Sequence, residues 1–309
     1  PNYDFTALRG GPCDRGFDTF FGIPASLDIP PYYYIRDRSA VAAPTEKIEA
    51  NSSEGWSPIQ GAFWRAGGIA PEFRMEEVLD RFTSEAVEYV NGRREQPEPF
   101  FLYVAFTGPH TPWLPAEKFS KHDAAGLYSQ FVAHVDDCVG RVLAALEETG
   151  QAEDTLVFFS SDDGPVWYED DEKSTGHRSA GPWRGMKADY WEAGHRMPLI
   201  ARWPGRVPAG ALRDDLVGLV DIPATLVEVA GGRQPAGALD DSISFLPALL
   251  GKDHRPARTS MLQHHTGNVI RQGSWKLITQ LGSGGFSEPR RESSTADGPS
   301  CQLYDLAAD

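Results

Sequence analysis

Apolar positions along the chain first follow no fixed period, then repeat at helical spacing, and then gather into short solid runs. Residues 1–70 are crowded with Gly, Pro and aromatics, as in "GFDTFFGIPASLDIPPYYYI", which predicts a long ordered excursion across a surface. Met75, Val78, Leu79, Phe82, Ala86 and Val90 then share one helical face, with Pro71 at its start and Gly92 just past its end, predicting an amphipathic helix. The continuous run "PFFLYVAF" (99–106) predicts a strand buried on both faces, leading directly into "TGPHTPW". A second amphipathic helix is expected from Tyr128, Phe131, Val132, Val135, Val139, Val142, Leu143 and Leu146, ending at Gly150. The strand "TLVFFS" and, after a polar loop, the strand "MPLIARW" follow. Strands alternating with helices predict an α/β fold, a sheet flanked by helices.

Beyond "SFLPALLG" the texture changes to short strand-like runs between turn residues: "SMLQHH", "NVIRQGSWKLITQ" and "QLYDL", with "RQGSWK" a hairpin. The expected organisation is a main domain over 1–252 and a smaller antiparallel subdomain over 253–309. Within the latter, "GSGGFSEPRRESSTADGPS" reads as a mobile low-complexity loop, and His264 and His265 as structural or rim residues.

Composition narrows the function classes. A chain of 309 residues with 40% hydrophobic and 24% charged residues is ordinarily globular, and its longest apolar runs fall well short of a membrane span. A net charge of −15 excludes nucleic acid as a general partner, and an anionic substrate would have to be met by a local cationic pocket. Cys13, Cys138 and Cys301 are scattered and odd in number, giving neither a metal-ligand spacing nor a disulfide framework. With no initiator Met or signal peptide at the start and a strand-like run at the close, both ends read as cuts inside a longer protein.

Ligands of open α/β sheets collect at the carboxyl ends of strands, and "TGPHTP", "SSDDG" and "RGMKADYWEAGHRMP" border the predicted strands. The adjacent carboxylates Asp162 and Asp163 are either a solvated acidic turn or half of a hard-cation site with directions fixed by the strand end. His110, between Pro109 and Pro112, either caps a loop or faces an anion and protonates a leaving oxygen. Lys187 alone is an ordinary surface charge and gains meaning only in company. His177, Arg178, Arg184, His195 and Arg196 concentrate positive charge near it, either for an anionic ligand or for ion pairs with "EDDEK" (169–173).

"RGFDTFFGIPAS", "PFFLYVAFTGPHTPW", "DTLVFFSSDDGP", "RGMKADYWEAGHRMPLIARWPG", "DLVGLVDIPATLVEVAG" and the closing "SWKLI" and "QLYDL" together resemble the type I sulfatases of the alkaline phosphatase superfamily. The resemblance spans almost the whole chain and keeps the family's order. It implies a large mixed sheet flanked by helices with a small carboxyl-terminal antiparallel subdomain. It also implies Ca²⁺, rather than Mg²⁺, on Asp162 and Asp163, the latter where the family more often has Asn. His110 and Lys187 would contact the sulfate and its leaving oxygen. The segments "GIPASLDIPPYYYI" and "WEAGHRMP" look most like bacterial enzymes acting on sulfated carbohydrates. His177, His195 and Arg196 are candidate substrate contacts, for instance for a uronate carboxylate. Export is the family habit.

The chain departs from the family at the nucleophile. The family makes a formylglycine from Cys or Ser in a C/S-x-P/A-x-R motif, and neither "CDRGF", "CVGRV" nor "CQLYD" fits it. The family's amino-terminal metal-binding aspartates and its "GKWHLG"-like segment are also absent. In the family these all precede the equivalent of residue 1, so truncation at the amino terminus would account for the omissions; a cut at the carboxyl terminus is expected separately. The amino-terminal truncation would leave this chain inactive and its sheet short of strands, with apolar edges exposed. The sulfatase expectation competes with a phosphate or phosphonate ester hydrolase of the same superfamily and with a non-catalytic sulfoglycan-binding homologue.

Overall fold

The computed structural model describes residues 4–252, 256–264 and 268–308. The expected subdomain boundary at 253 and His265 lie outside them. The chain divides into two compact units, one of residues 1–152 with 170–177 and the other of residues 153–169 with 178–309.

The aromatic-rich start of the first unit is ordered through very short strands. β1 (Phe21–Gly22), β2 (Ile35–Arg36) and β3 (Ser39–Ala40) form one antiparallel sheet, and β4 (Glu46–Ile48) pairs with β5 (Gly67–Ile69). Leu27, Tyr32, Tyr33, Ile69, Phe73, Met75 and Val78 form their shared core, which explains the lack of periodicity: these aromatics pack from turns, not along one face of an element. After a tight turn at Met75–Glu77, α1 (Val78–Gly92) buries Val78, Leu79, Ala86 and Val90 as its spacing predicts.

Helix α2 (Gly126–Glu148) packs along α1 and buries Phe131, Val135 and Leu146, but its stripe is interrupted by polar atoms. The His134 ring is fully buried. Its Nδ1 accepts the Ala116 N–H at 3.4 Å, so Nε2 carries the proton and donates to Asp80 Oδ2 at 3.1 Å. Arg141 closes the set on the other Asp80 oxygen. Asp80, His134 and Cys138 offer ligand-type atoms within 4.8 Å of one another, yet the guanidinium and the protonated Nε2 make this a helix-joining hydrogen-bond network. A short helix, α3 (Glu169–Thr175), sets Asp171 into this unit, where its carboxylate accepts the Ser57 N–H and Oγ–H.

Residues 99–106 depart from the expectation. The backbone is extended but joins no ladder among the described residues, and Phe101 and Tyr103 are 58% and 72% exposed while Leu102, Val104 and Phe106 are half-buried. With no paired neighbour, the run has one covered side instead of two.

In the second unit β6 (Val157–Ser160) and β7 (Leu199–Arg202) pair antiparallel, Phe159 opposite Ile200, and the helices α4 (Ile222–Val229) and α5 (Leu246–Leu249) follow. Asp221, at the start of α4 and 1% exposed, accepts the Gly218 and Ile243 N–H groups and a two-pronged ion pair from Arg258. Strands β8 (Ser260–His264), β9 (Asn268–Gln272), β10 (Trp275–Ile278) and β11 (Gln302–Asp305) build the expected antiparallel sheet in the order β11-β10-β9-β8, joined at the expected "RQGSWK" hairpin. Its register lines Leu262, Ile270, Leu277 and Leu303 in one outward row and turns Val269, Lys276 and Ile278 inward. The loop expected to be mobile is pinned over its first part. Ser283 is fully buried, and the N–H groups of Phe286 and Ser287 donate to the buried Asp189.

Candidate active site

Strand β6 ends at Ser160, and the next residues turn immediately. The Asp163 N–H donates to Asp162 Oδ1 at 3.1 Å, an arrangement that fixes the first carboxylate against the backbone of the second. Asp162 is exposed and Asp163 half-buried. Lys187 Nζ lies 3.2 Å from Asp163 Oδ2, so the lysine that sequence spacing left unpartnered stands beside one of the two acids.

This pairing follows from how the 184–194 loop seats on the turn. Lys187 N–H donates to Pro165 C=O at 2.7 Å and Gly164 N–H to Gly194 C=O at 3.3 Å. The approach requires glycine: a Cβ on Gly164 would stand 1.8 Å from the Ala193 carbonyl oxygen, and one on Gly194 would stand 2.3 Å from that of Asp189. Asp189, fully buried, accepts from Met186 N–H, from the Phe286 and Ser287 N–H groups and from Ser287 Oγ–H, and thereby ties the loop to residues 286–287.

Arg196 is held rather than free. It binds Glu192 through Nε at 3.1 Å and Nη2 at 3.0 Å, and its guanidinium lies 4.1 Å from the centre of the Trp183 ring. His195 is half-buried, its N–H donating to the Glu192 carbonyl. Arg184 lies 3.6 Å over the Trp191 ring.

His110 and His177 belong to the first unit. The side chain of His110 is exposed, and Nδ1 is 2.7 Å from the Thr111 carbonyl oxygen and 3.5 Å from Ser26 Oγ. A carbonyl only accepts, so Nδ1 carries hydrogen and Nε2 is the nitrogen left for proton exchange. Ser26 Oγ in turn donates to Asp28 Oδ1 at 2.5 Å, and Asp28 is paired with Arg65. The half-buried His177 ring sits 5.8 Å from Tyr128.

Sequence reasoning passed over Glu192, Arg271 and Lys276. Glu192, 7% exposed, receives Lys276 Nζ on one oxygen at 3.2 Å, and Arg271 Nη1 and Arg196 on the other at 3.2 and 3.0 Å. Burial would raise its carboxyl pKa, but Lys276 first and then the two arginines hold it below the ordinary range. The four-residue spacing of Glu192 and Arg196 was a visible signal for one of these contacts. Lys276 gave none, since its apolar neighbour Leu277 faces outward.

The Sulfatase family model matches residues 3–232, and the chain belongs to the sulfatase family. Its fold is the α/β fold of that family, with the alkaline phosphatase-like architecture and a carboxyl-terminal four-stranded antiparallel sheet. An N-acetylgalactosamine-6-O-sulfatase of Bacteroides thetaiotaomicron is 29% identical over 328 residues, which cover 95% of this chain and 63% of that protein. The N-acetylgalactosamine-6-sulfatase of Mus musculus is 29% identical over 239 residues, 77% of this chain and 43% of its own length. A solved structure described under the metabolism of multiple glycosaminoglycans by Bacteroides thetaiotaomicron superposes with a TM-score of 0.80 at 27% identity, covering 99% of this chain and 70% of that one. The chain thus spans under two thirds of the length of these two curated relatives.

Proposed function

We propose that this chain carries part of the active site of a sulfuric ester hydrolase acting on sulfated carbohydrates. The observation that carries the reading is the Asp163–Lys187 pair at the tip of β6, next to Asp162, in a member of the sulfatase family. Its relatives named for 6-sulfated N-acetylgalactosamine support a sulfated sugar as the substrate class.

The donor set suits a hard divalent cation. Asp162 and Asp163 offer only carboxylate oxygen, which Ca²⁺ accepts and softer metals do not prefer. Two carboxylates are fewer than the six to eight oxygens that Ca²⁺ takes, so further ligands from substrate, water or other polypeptide belong to the proposal. Bound there, a Ca²⁺ would supply fixed positive charge against the sulfate oxygens.

The chain's own residues then have distinct tasks. Sulfate ester cleavage breaks the S–O bond and leaves its electrons on the departing oxygen. The Lys187 ammonium stabilises charge on the ester group, and its pairing with Asp163 keeps it oriented. By the family resemblance His110 is the candidate proton donor to the leaving alkoxide: with Nδ1–H held on the Thr111 carbonyl, it would act from Nε2 in its doubly protonated form. His177, His195 and Arg196 are the candidate contacts to the rest of the glycan, and Arg196 is the one already fixed in direction by Glu192 and Trp183. The nucleophile expected is a formylglycine, which none of the cysteine segments can supply. Export from the cytoplasm accompanies the reading by family habit.

The test is hydrolysis by the product of the intact gene. Aryl sulfate should be cleaved in preference to aryl phosphate, with release of 6-sulfate from N-acetylgalactosamine derivatives. Preference for phosphate would transfer the site to the phosphate ester hydrolases. Binding of the sulfated sugar without turnover, together with no formylglycine detected in the purified gene product by mass spectrometry, would make the protein a sulfoglycan-binding homologue.

A further inference from the structure

Lys276 is 1% exposed, sits in the middle of β10 on the inward face of the antiparallel sheet, and is remote in sequence from every candidate site residue. An ammonium buried so completely requires a dedicated partner, and here that partner is Glu192. Glu192 begins the turn Glu192–Gly194, whose last carbonyl accepts the Gly164 N–H. The turn's middle residue, Ala193, presents the carbonyl oxygen against which Gly164 packs. Lys276 therefore grips the segment that abuts the Asp162–Asp163 turn.

The same sheet and its adjoining loop hold the segment at further points. Trp191 Nε1–H donates to Gln302 Oε1 at 2.9 Å, on β11, and Tyr190 N–H donates to Ser283 C=O at 2.7 Å. Arg271 on β9 reaches Glu192 as well. Tyr190 and Trp191 form one core with Val269, Ile278 and Tyr304 of the sheet. The 184–194 loop is thus clamped between the β6 tip and the inner face of the antiparallel sheet.

We propose that the antiparallel sheet is the positioning element of the candidate site, and that Lys276, through Glu192, is a positioning residue that sets where Lys187 stands relative to Asp162 and Asp163. The inference rests on the reading of Lys187 and Asp163 as active-site groups. Its physical basis is the steepness of catalysis with geometry: a displacement near 1 Å costs on the order of 100-fold in rate, whereas loose binding of an anionic ester tolerates it. Lys276 has no path to substrate of its own, because its ammonium is spent on Glu192 behind the loop.

The first measurement needs no activity. In the chain as it stands, Lys276→Met should speed amide hydrogen exchange at the Lys187 and Gly164 N–H groups, which bond Pro165 and Gly194, while exchange in α1 and α2 stays as in the parent. Unchanged exchange at both amides overturns the proposal. In the intact gene product, aryl sulfate hydrolysis by Lys276→Met should fall roughly 10- to 100-fold in kcat with KM within about twofold. Lys276→Arg, which keeps the charge, should recover part of that loss. A rise in KM at unchanged kcat, or parental kinetics, overturns the positioning role while leaving the sulfatase reading intact. Failure of the parent to cleave sulfate ends that reading and leaves the exchange experiment to decide the clamp. Should Lys276→Met fail to fold, Trp191→Phe removes the Gln302 bond of the same clamp and carries the same expectations at smaller size.

Discussion

At the scale of single residues, the proposed function divides the candidate site into charge that would bind a cation and charge that would act on the ester. Asp162, exposed and held by the Asp163 N–H, is the proposed cation ligand, whereas Lys187 pairs with Asp163 at the same turn. The two should therefore fail differently in the intact gene product. Asp162→Ala should lose both activity and bound Ca²⁺ by elemental analysis. Lys187→Ala should retain the ion and lose about 100-fold in kcat/KM, the usual effect of deleting one charge-stabilising donor. Metal content unchanged by Asp162→Ala would return the pair to a solvated acidic turn. The aspartates, His110 and Lys187 were legible as residues because their types and neighbours are chemically suggestive. The Asp163–Lys187 contact was not, since 23 intervening residues carry no distance information.

At the scale of elements, glycine separates local from tertiary demand. Gly140 lies within α2 with open space where a Cβ would go, so Gly140→Ala should stabilise the chain by about 0.5–1 kcal/mol in a denaturant titration. Gly164 faces the Ala193 carbonyl, and because that neighbour is backbone it cannot swing aside. Gly164→Ala should destabilise by roughly 1–3 kcal/mol and reduce activity along with it. Equal stability of the Gly164→Ala chain would mean that the turn and the loop are not pressed together. The helices and the carboxyl-terminal hairpin were readable in the apolar pattern, since each carries its own period or turn. The 99–106 run was misread as doubly buried because a solid apolar run states affinity for cover without stating that cover exists.

For the whole molecule, the buried charges set two edges of pH stability. Glu192 and Asp80 are each raised by burial but brought below their ordinary values, Glu192 by Lys276 and the arginines, Asp80 by Arg141 and His134. A carboxyl depressed in the folded state contributes stability above its unfolded pKa and loses it as pH falls through the folded one, so acid should unfold the chain from this side. Tyr32 and Tyr34 move the other way: burial pushes both phenols to about 12 from 10.0. Their contribution is complete below pH 10 and is lost as pH rises towards about 12. Melting temperature followed by circular dichroism should thus be flat through neutrality and fall on both flanks. A midpoint that does not move between pH 9 and 12 would contradict the alkaline edge.

Sequence by itself determined the order of elements, the two amphipathic helices, the antiparallel end of the chain and the acids at the tip of β6. These depend on period, turn chemistry and residue type, all of which act within a few neighbours. Only the tertiary structure decided that Lys187 meets Asp163, that Glu192 is buried under three cations, and that Lys276 faces inward while Leu277 does not. Such pairings join residues far apart along the chain, and strand parity depends on which face another segment covers.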